Sequence, residues 1–142
     1  MAYLDSLASS LALNNLTPEK IKEIEHLTEE MEKHCHRNSI EKYMDLNVDV
    51  HKKTWESIPN RFLQSVLLYI NDQMLRYNYA RFNAFQKPGV LEKSMADHKE
   101  ILKALKNKDK KRIKSLMLKH WGSILKPSSF EEGLKECLNN EQ

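Results

Sequence analysis

Hydrophobic residues recur along this chain every three or four positions, which is the spacing of one face of an α-helix. The first segment shows the pattern as a short apolar stripe formed by Leu4, Leu7, Ala8, Leu11 and Ala12. No segment of the sequence alternates apolar and polar residues as a half-buried strand does. The pattern therefore predicts an all-α fold, an antiparallel bundle of six or seven helices.

Capping residues indicate where the first helices begin. Thr17 followed by Pro18 predicts an N-cap with proline at the first helical position, and this helix should run over residues 18–34. Asn38 with Glu41 resembles a capping box, in which two side chains satisfy the free N–H groups of a helix start. We therefore expect the next helix to open at Asn38.

The later helices are separated by similar signals. Asn60 is suited to cap a long helix, and the sequence Lys87-Pro88-Gly89 should break the chain after it. Asp109 is expected to cap the following helix, and Ser129 with Glu132 resembles a capping box for a short terminal one. The core face of the long helix should include Leu63, Val66, Leu67, Ile70, Met74 and Leu75.

Length and composition predict a single domain over residues 1–142. A chain of this size buries roughly two-thirds of its unfolded surface, enough for an independent core. Cys35 and Cys137 form no CxxC pattern and are interpreted as reduced thiols of a cytoplasmic protein. No apolar run approaches the roughly 18 residues of a membrane span, and the N-terminus lacks the features of a signal peptide, so no membrane partner is expected.

The net charge of +3 is small, but nine of the 23 basic residues lie between Lys99 and Lys119. Such a cluster could bind nucleic acid. Its lysines, however, are interspersed with apolar residues at helical spacing, and no aromatic residues alternate with them. This arrangement favours the solvated outer face of a helix over a nucleic-acid interface.

Candidate chemistry comes from His51, His98 and His120, which all lie on or beside apolar stripes, and from Asn47, one helical turn before His51. A lone helical histidine is more often a surface or hydrogen-bonded residue than a ligand. His98 and His120 should lie on the two arms of one helical hairpin and can converge there. Three imidazoles and one oxygen suit a divalent transition metal, zinc or nickel, and do not suit calcium or magnesium.

The same residues form part of a longer pattern. Its segments are Asn47-Val48-Asp49-Val50-His51, Ile58-Pro59-Asn60, Ser94-Met95-Ala96-Asp97-His98, Ala104-Leu105, Asp109 and His120. They resemble the effector-binding (FCD-type) domain of GntR-family transcription regulators, FadR subgroup, whose pattern reads approximately [DN]xxFH, GN, SxxEH, AL, D and a final H. The opening Leu4-Asp5-Ser6-Leu7-Ala8 resembles the family's LExxA, so the likeness covers nearly the whole chain.

The resemblance implies a metal ion inside the bundle, with a small organic acid, often a carboxylate, bound beside it. Its ligands would be Asn47, His51, His98 and His120. Asn47 stands where the family often has Asp, so the site would keep the full metal charge, which weakens metal binding and attracts an anion. Arg76 and Arg81 could clamp the effector carboxylate by bidentate hydrogen bonds. The family also carries a winged helix-turn-helix, absent from this sequence, so DNA would be bound only through such a module, in a homodimer.

Two other classes of function remain open. A structural or partner-binding bundle would use the histidines as core polar residues and bind no metal. A small metal-dependent hydrolase or lyase would need a general base near the ion. Asp49 should turn away from His51, and Asp97 adjoins His98 without sharing its face, so the sequence offers no obvious base. We therefore expect a sensor domain and no enzyme.

Overall fold

A computed structural model describes residues 1–75 and 78–124 of the chain, and this part contains seven α-helices and no strand. The helices are α1 (Ala2–Ala12), α2 (Pro18–His36), α3 (Ile40–Trp55), α4 (Arg61–Leu75), α5 (Asn78–Gln86), α6 (Val90–Lys106) and α7 (Lys110–Ile124). The predicted all-α fold is confirmed. The segment expected to form one long helix contains α4 and α5, and the terminal helix predicted at Ser129 lies outside the described residues.

Three of the predicted helix starts are confirmed by their hydrogen bonds. The side chains of Thr17, Asn60 and Asp109 each accept a bond from the backbone N–H three residues further on, at 3.2, 3.0 and 3.0 Å respectively. Each bond satisfies one of the N–H groups that a helix start leaves free, which typically contributes about 1 kcal/mol. These local interactions fix the beginnings of α2, α4 and α7.

The capping box predicted at Asn38 is wrong, because this residue ends α2 and does not open α3. Asn38 has a left-handed backbone with φ of 52°, a conformation that asparagine tolerates better than most residues. The N–H of Ser39 donates to the carbonyl of His34 at 2.9 Å, as in a helix C-terminal turn. Ser39 is the N-cap of α3, without a side-chain capping bond.

Two buried apolar clusters hold the helices together. The larger one joins residues of α2, α3, α5, α6 and α7. The smaller one brings Ala8 and Ala12 of α1 against Trp55 of α3 and Leu67 of α4. α1 packs along α7, while α2 packs on both α3 and α6. The polar residues of the candidate site lie on the inner faces of α1, α3, α6 and α7.

The basic stretch between Lys99 and Lys119 forms an exposed face of α6 and α7. All nine basic residues of this stretch are exposed, and Lys99, Lys106 and Arg112 pair with glutamates of α2 or α6. The prediction that these basic residues lie on an outer helix face is therefore confirmed. No helix in the described part of the chain is long and apolar enough to cross a bilayer.

Candidate metal centre

The three predicted histidines meet in the interior of the bundle. His51 of α3, His98 of α6 and His120 of α7 are at most 3% exposed, and each offers a ring nitrogen within 4.8 Å of the other two. Nitrogens bound to one zinc ion at about 2.1 Å lie roughly 3 to 3.5 Å apart, so shifts of about an ångström would bring all three onto one ion. Among the described residues, this is the only group of histidine, cysteine or carboxylate side chains with such a geometry.

Helix α3 supplies the site from one buried stripe, whose members lie one turn apart: Tyr43, Asn47, His51 and Trp55. The Asn47 amide nitrogen is 3.0 Å from Nε2 of His98, which places Asn47 at the predicted position beside the histidines. One turn earlier, the Tyr43 hydroxyl donates to Oγ of Ser94 at 2.8 Å. These two contacts connect α3 to α6 and hold His98 against α3.

A carboxylate of α1 lies directly behind His51. Asp5 is fully buried, and its Oδ2 is 2.8 Å from Nδ1 of His51. The indole N–H groups of Trp55 and Trp121 donate to Asp5 at 2.6 and 2.8 Å, and the Ser9 hydroxyl donates at 3.2 Å. Burial alone would raise the pKa of Asp5, but the charge interaction with His51 and these hydrogen bonds outweigh it and hold the pKa below its usual value.

A second carboxylate lies behind His120. Oδ2 of Asp97 is 3.8 Å from Nδ1 of His120, and Lys119 lies 3.3 Å from the other oxygen. Hydrogen bonding to His120 lowers the pKa of Asp97, and the nearby lysine contributes in the same direction. Both carboxylates therefore stay ionised at neutral pH next to an imidazole.

The sequence offered no obvious general base, and it did not reveal the two carboxylates that lie behind the rings of His51 and His120. Asp97 shares no face with His98, as predicted, but it faces His120 on the neighbouring helix. Asp5 interacts with a histidine 46 positions further along the chain, which no helical spacing reveals. A local signal was present, because Asp5 interrupts the apolar stripe that continues through Ala8 and Ala12. A charged residue on the core face of a helix needs a buried partner.

Burial holds His98 and His120 in their neutral form. Burial is the largest cause of the lowered pKa of both His98 and His120, and the neighbouring His51 lowers both further. A hydrogen bond and the charge of Asp97 act in the opposite direction on His120 without reversing the shift. Neutral imidazole is the form that binds a metal ion, so His98 and His120 need no deprotonation at pH 7.

The lowered pKa values predict that the metal-free protein loses stability in acid. Histidines whose pKa lies below 6.5 in the folded state bind fewer protons than in the unfolded chain, so the free energy of unfolding falls as the pH drops below about 6.5. The slope should be on the order of 1 kcal/mol per pH unit for each histidine. Urea unfolding in a chelating buffer between about pH 7.5 and 5.5 measures it. His98→Leu should show a smaller slope, and equal slopes would contradict the assignment to His98.

Arg81 of α5 is a buried cation. Its side chain is 6% exposed, and within the described residues its Nε has no hydrogen-bond partner. Burial lowers the pKa of Arg81, although a guanidinium stays charged in a protein. A buried charge without a counter-ion destabilises the fold, so this position suits an anionic ligand. Arg76, the other predicted effector residue, lies outside the described residues.

Asn71 of α4 is a further buried polar residue that the sequence reasoning missed. It is 4% exposed, and its amide nitrogen has no hydrogen-bond partner among the described residues. Asn71 lies one turn after the fully buried Leu67, so it belongs to the inner face of α4. A buried amide donor without a partner costs about 1 to 3 kcal/mol, which a polar ligand could offset.

Comparisons with known proteins agree with this fold. The model of the FCD domain family matches residues 1–123. Among solved structures, McbR/YncC of E. coli is similar to this chain with a TM-score of 0.71 and 22% sequence identity, over 87% of this chain and 63% of that one. At this identity the likeness shows a shared fold, and the chain spans less than two thirds of that protein's length. No curated protein sequence matches the chain.

Proposed function

Because the chain belongs to the FCD domain family, a family of effector-binding regulatory domains, we propose that it senses a small organic acid in a metal-dependent manner. The observation that carries this proposal is the convergence of three buried histidines from three helices. In a complete GntR/FadR-type regulator of the cytoplasm, effector binding would shift a homodimer between two arrangements. One arrangement would bind DNA through winged helix-turn-helix modules, and the other would not.

The residues present fit a divalent transition metal. Nε2 of His51 is buried and without a hydrogen-bond partner in the part of the chain that the structure describes, so it is available to an ion. Turning the Asn47 amide by 180° would replace the nitrogen beside His98 by its oxygen, which gives a fourth ligand of neutral charge. Imidazole donors with one oxygen favour zinc or nickel over calcium and magnesium. When bound, such an ion supplies positive charge and open coordination positions for an acid.

An acid is the class of effector that the charges favour. None of the proposed ligands Asn47, His51, His98 and His120 carries a negative charge, so none of them neutralises a divalent ion. Arg81 adds a buried guanidinium that can bind a carboxylate by two parallel hydrogen bonds. We propose Arg76 as a second carboxylate-binding residue on the same sequence grounds.

Unfolding of the purified chain with and without a chelator tests the proposal. Di- and tricarboxylates, sugar acids and amino acids would be screened, and at 100 times its dissociation constant the correct acid should add about 2.7 kcal/mol to the free energy of unfolding. We expect this stabilisation only when metal is bound. An acid that binds the metal-free protein with the same affinity would contradict the metal-dependent function.

Catalysis is the less favoured function, although carboxylates lie near the histidines. Asp5 and Asp97 both approach Nδ1 of an imidazole, behind the ring, so neither faces the point where the histidines converge. The oxygens of Asp5 also accept hydrogen bonds from two indoles. A general base must reach the proton that it removes, and these positions do not allow this. We therefore propose binding without turnover.

A further inference from the structure

We infer that Asp5 is a positioning residue of the metal centre, and that through it metal binding and the docking of helix α1 stabilise each other. The inference rests on the proposed metal-dependent function. Asp5 belongs to α1, yet its carboxylate contacts His51 and Trp55 of α3 and Trp121 of α7. One buried side chain therefore connects the first helix to two of the helices that carry the histidines.

Asp5 orients the ring of His51. With a carboxylate 2.8 Å from Nδ1, the neutral ring carries its proton on that nitrogen, and the lone pair of Nε2 is left for the ion. Asp97 lies 3.8 Å from His120, and within the described residues Nδ1 of His98 has no hydrogen-bond partner. Among the described carboxylates, Asp5 therefore makes the shortest contact to any of the three histidines.

Asp5 also helps to hold α1 on the bundle. The buried residues of α1 are all small: Asp5, Ser6, Ala8, Ser9, Ser10 and Ala12. Small side chains bury little apolar area, so the hydrophobic contribution to docking is modest. The hydrogen bonds of Asp5 must then supply a large share of the free energy that docks α1. The Ser6 hydroxyl adds a bond to the Lys114 carbonyl at 3.0 Å.

Metal binding and the docking of α1 are therefore coupled. An ion on Nε2 makes the Nδ1–H of His51 a stronger donor, which strengthens its bond to Asp5 and holds α1 in place. By linkage, a docked α1 strengthens metal binding by the same factor by which the ion strengthens the docking of α1. The N-terminal helix would thus be fixed when the ion is bound and freer when it is removed.

The Asp5→Asn variant of the full chain tests this coupling. Binding of zinc or nickel would be measured by calorimetry with a competing chelator, and hydrogen exchange of the α1 amides would be followed with and without the ion. In the wild type we expect the ion to slow exchange in α1. In Asp5→Asn we expect metal binding to weaken about 10- to 100-fold and the metal-dependent slowing of α1 to disappear.

Two control variants separate this role from a general effect of charge. Asp49→Asn removes an exposed carboxylate from α3 and should change neither quantity. Asp97→Asn removes the carboxylate behind His120 and should weaken metal binding. At saturating concentrations, the ion should still slow hydrogen exchange in α1 of this variant. If Asp5→Asn does not fold, Trp121→Phe keeps the aromatic packing and removes one donor to Asp5. It should speed exchange in α1, weaken metal binding and reduce the slowing of α1 by the ion.

The outcomes are distinguishable from failure of the proposed function. A wild-type protein that binds neither zinc nor nickel would contradict the function and the coupling together. If the wild type binds metal and Asp5→Asn binds it equally tightly, the function stands and the coupling is overturned. The coupling is also overturned if the ion binds the wild type without slowing exchange in α1.

Discussion

Replacing His98 by alanine should abolish metal binding. The purified wild-type protein is expected to hold about one equivalent of a divalent transition metal, and the His98→Ala variant essentially none. His98 is central to the site, with its ring centroid 4.5 Å from that of His120 and 5.2 Å from that of His51. Loss of an outer partner of a metal ligand already weakens binding about 10- to 100-fold, and loss of a ligand should cost more.

Elemental analysis and calorimetric titration with zinc or nickel measure this effect. The matched control is His26→Ala, because His26 is exposed on α2 and should leave metal binding unchanged. Unfolding in a chelating buffer separates metal loss from the cavity that the substitution creates. If His98→Ala still holds one equivalent, His98 is a core polar residue, and the structural alternative to the sensor is favoured.

The second large effect concerns Arg81, where stability and ligand binding should change in opposite directions. Substitution by methionine removes a buried charge whose Nε has no hydrogen-bond partner among the described residues, and it keeps much of the side-chain volume. We expect Arg81→Met to raise the free energy of unfolding of the effector-free protein by about 1 to 4 kcal/mol. The same variant should lose the stabilisation by the acid that the carboxylate screen identifies.

Urea unfolding with and without that acid measures both effects. Arg112→Met is the control, because Arg112 is exposed and pairs with Glu100 on the outer face. An exposed pair contributes about 0 to 1 kcal/mol, so this variant should change little. An Arg81→Met protein that is less stable and still binds the acid normally would show that Arg81 serves the fold and not the effector.

Local rules were sufficient for much of the fold. Thr17, Asn60 and Asp109 cap helices as predicted, because a cap is an interaction between residues three positions apart. Asn38 was misassigned for a related reason. The same residue type favours helix starts and left-handed helix ends, and only the backbone, with φ of 52°, distinguishes the two.

The meeting of the histidines was predictable because they lie on apolar helix faces and two of them lie on one helical hairpin. His98 and His120 are on consecutive helices joined by a short connection, so their meeting followed from chain topology. The carboxylates behind the histidines were not predictable in this way. Asp5 reaches His51 only because α1 packs along α7, and helix packing between distant segments leaves no periodic trace in the sequence.

The hydrogen bonds to Asp5 give the chain a built-in optical reporter. The protein has only two tryptophans, and both donate to Asp5 beside the candidate centre. Their ring centroids lie 6.2 and 5.4 Å from that of His51. Indole emission from this chain therefore originates almost entirely at the site, so binding of a quenching ion such as nickel can be followed by intrinsic fluorescence without an added label.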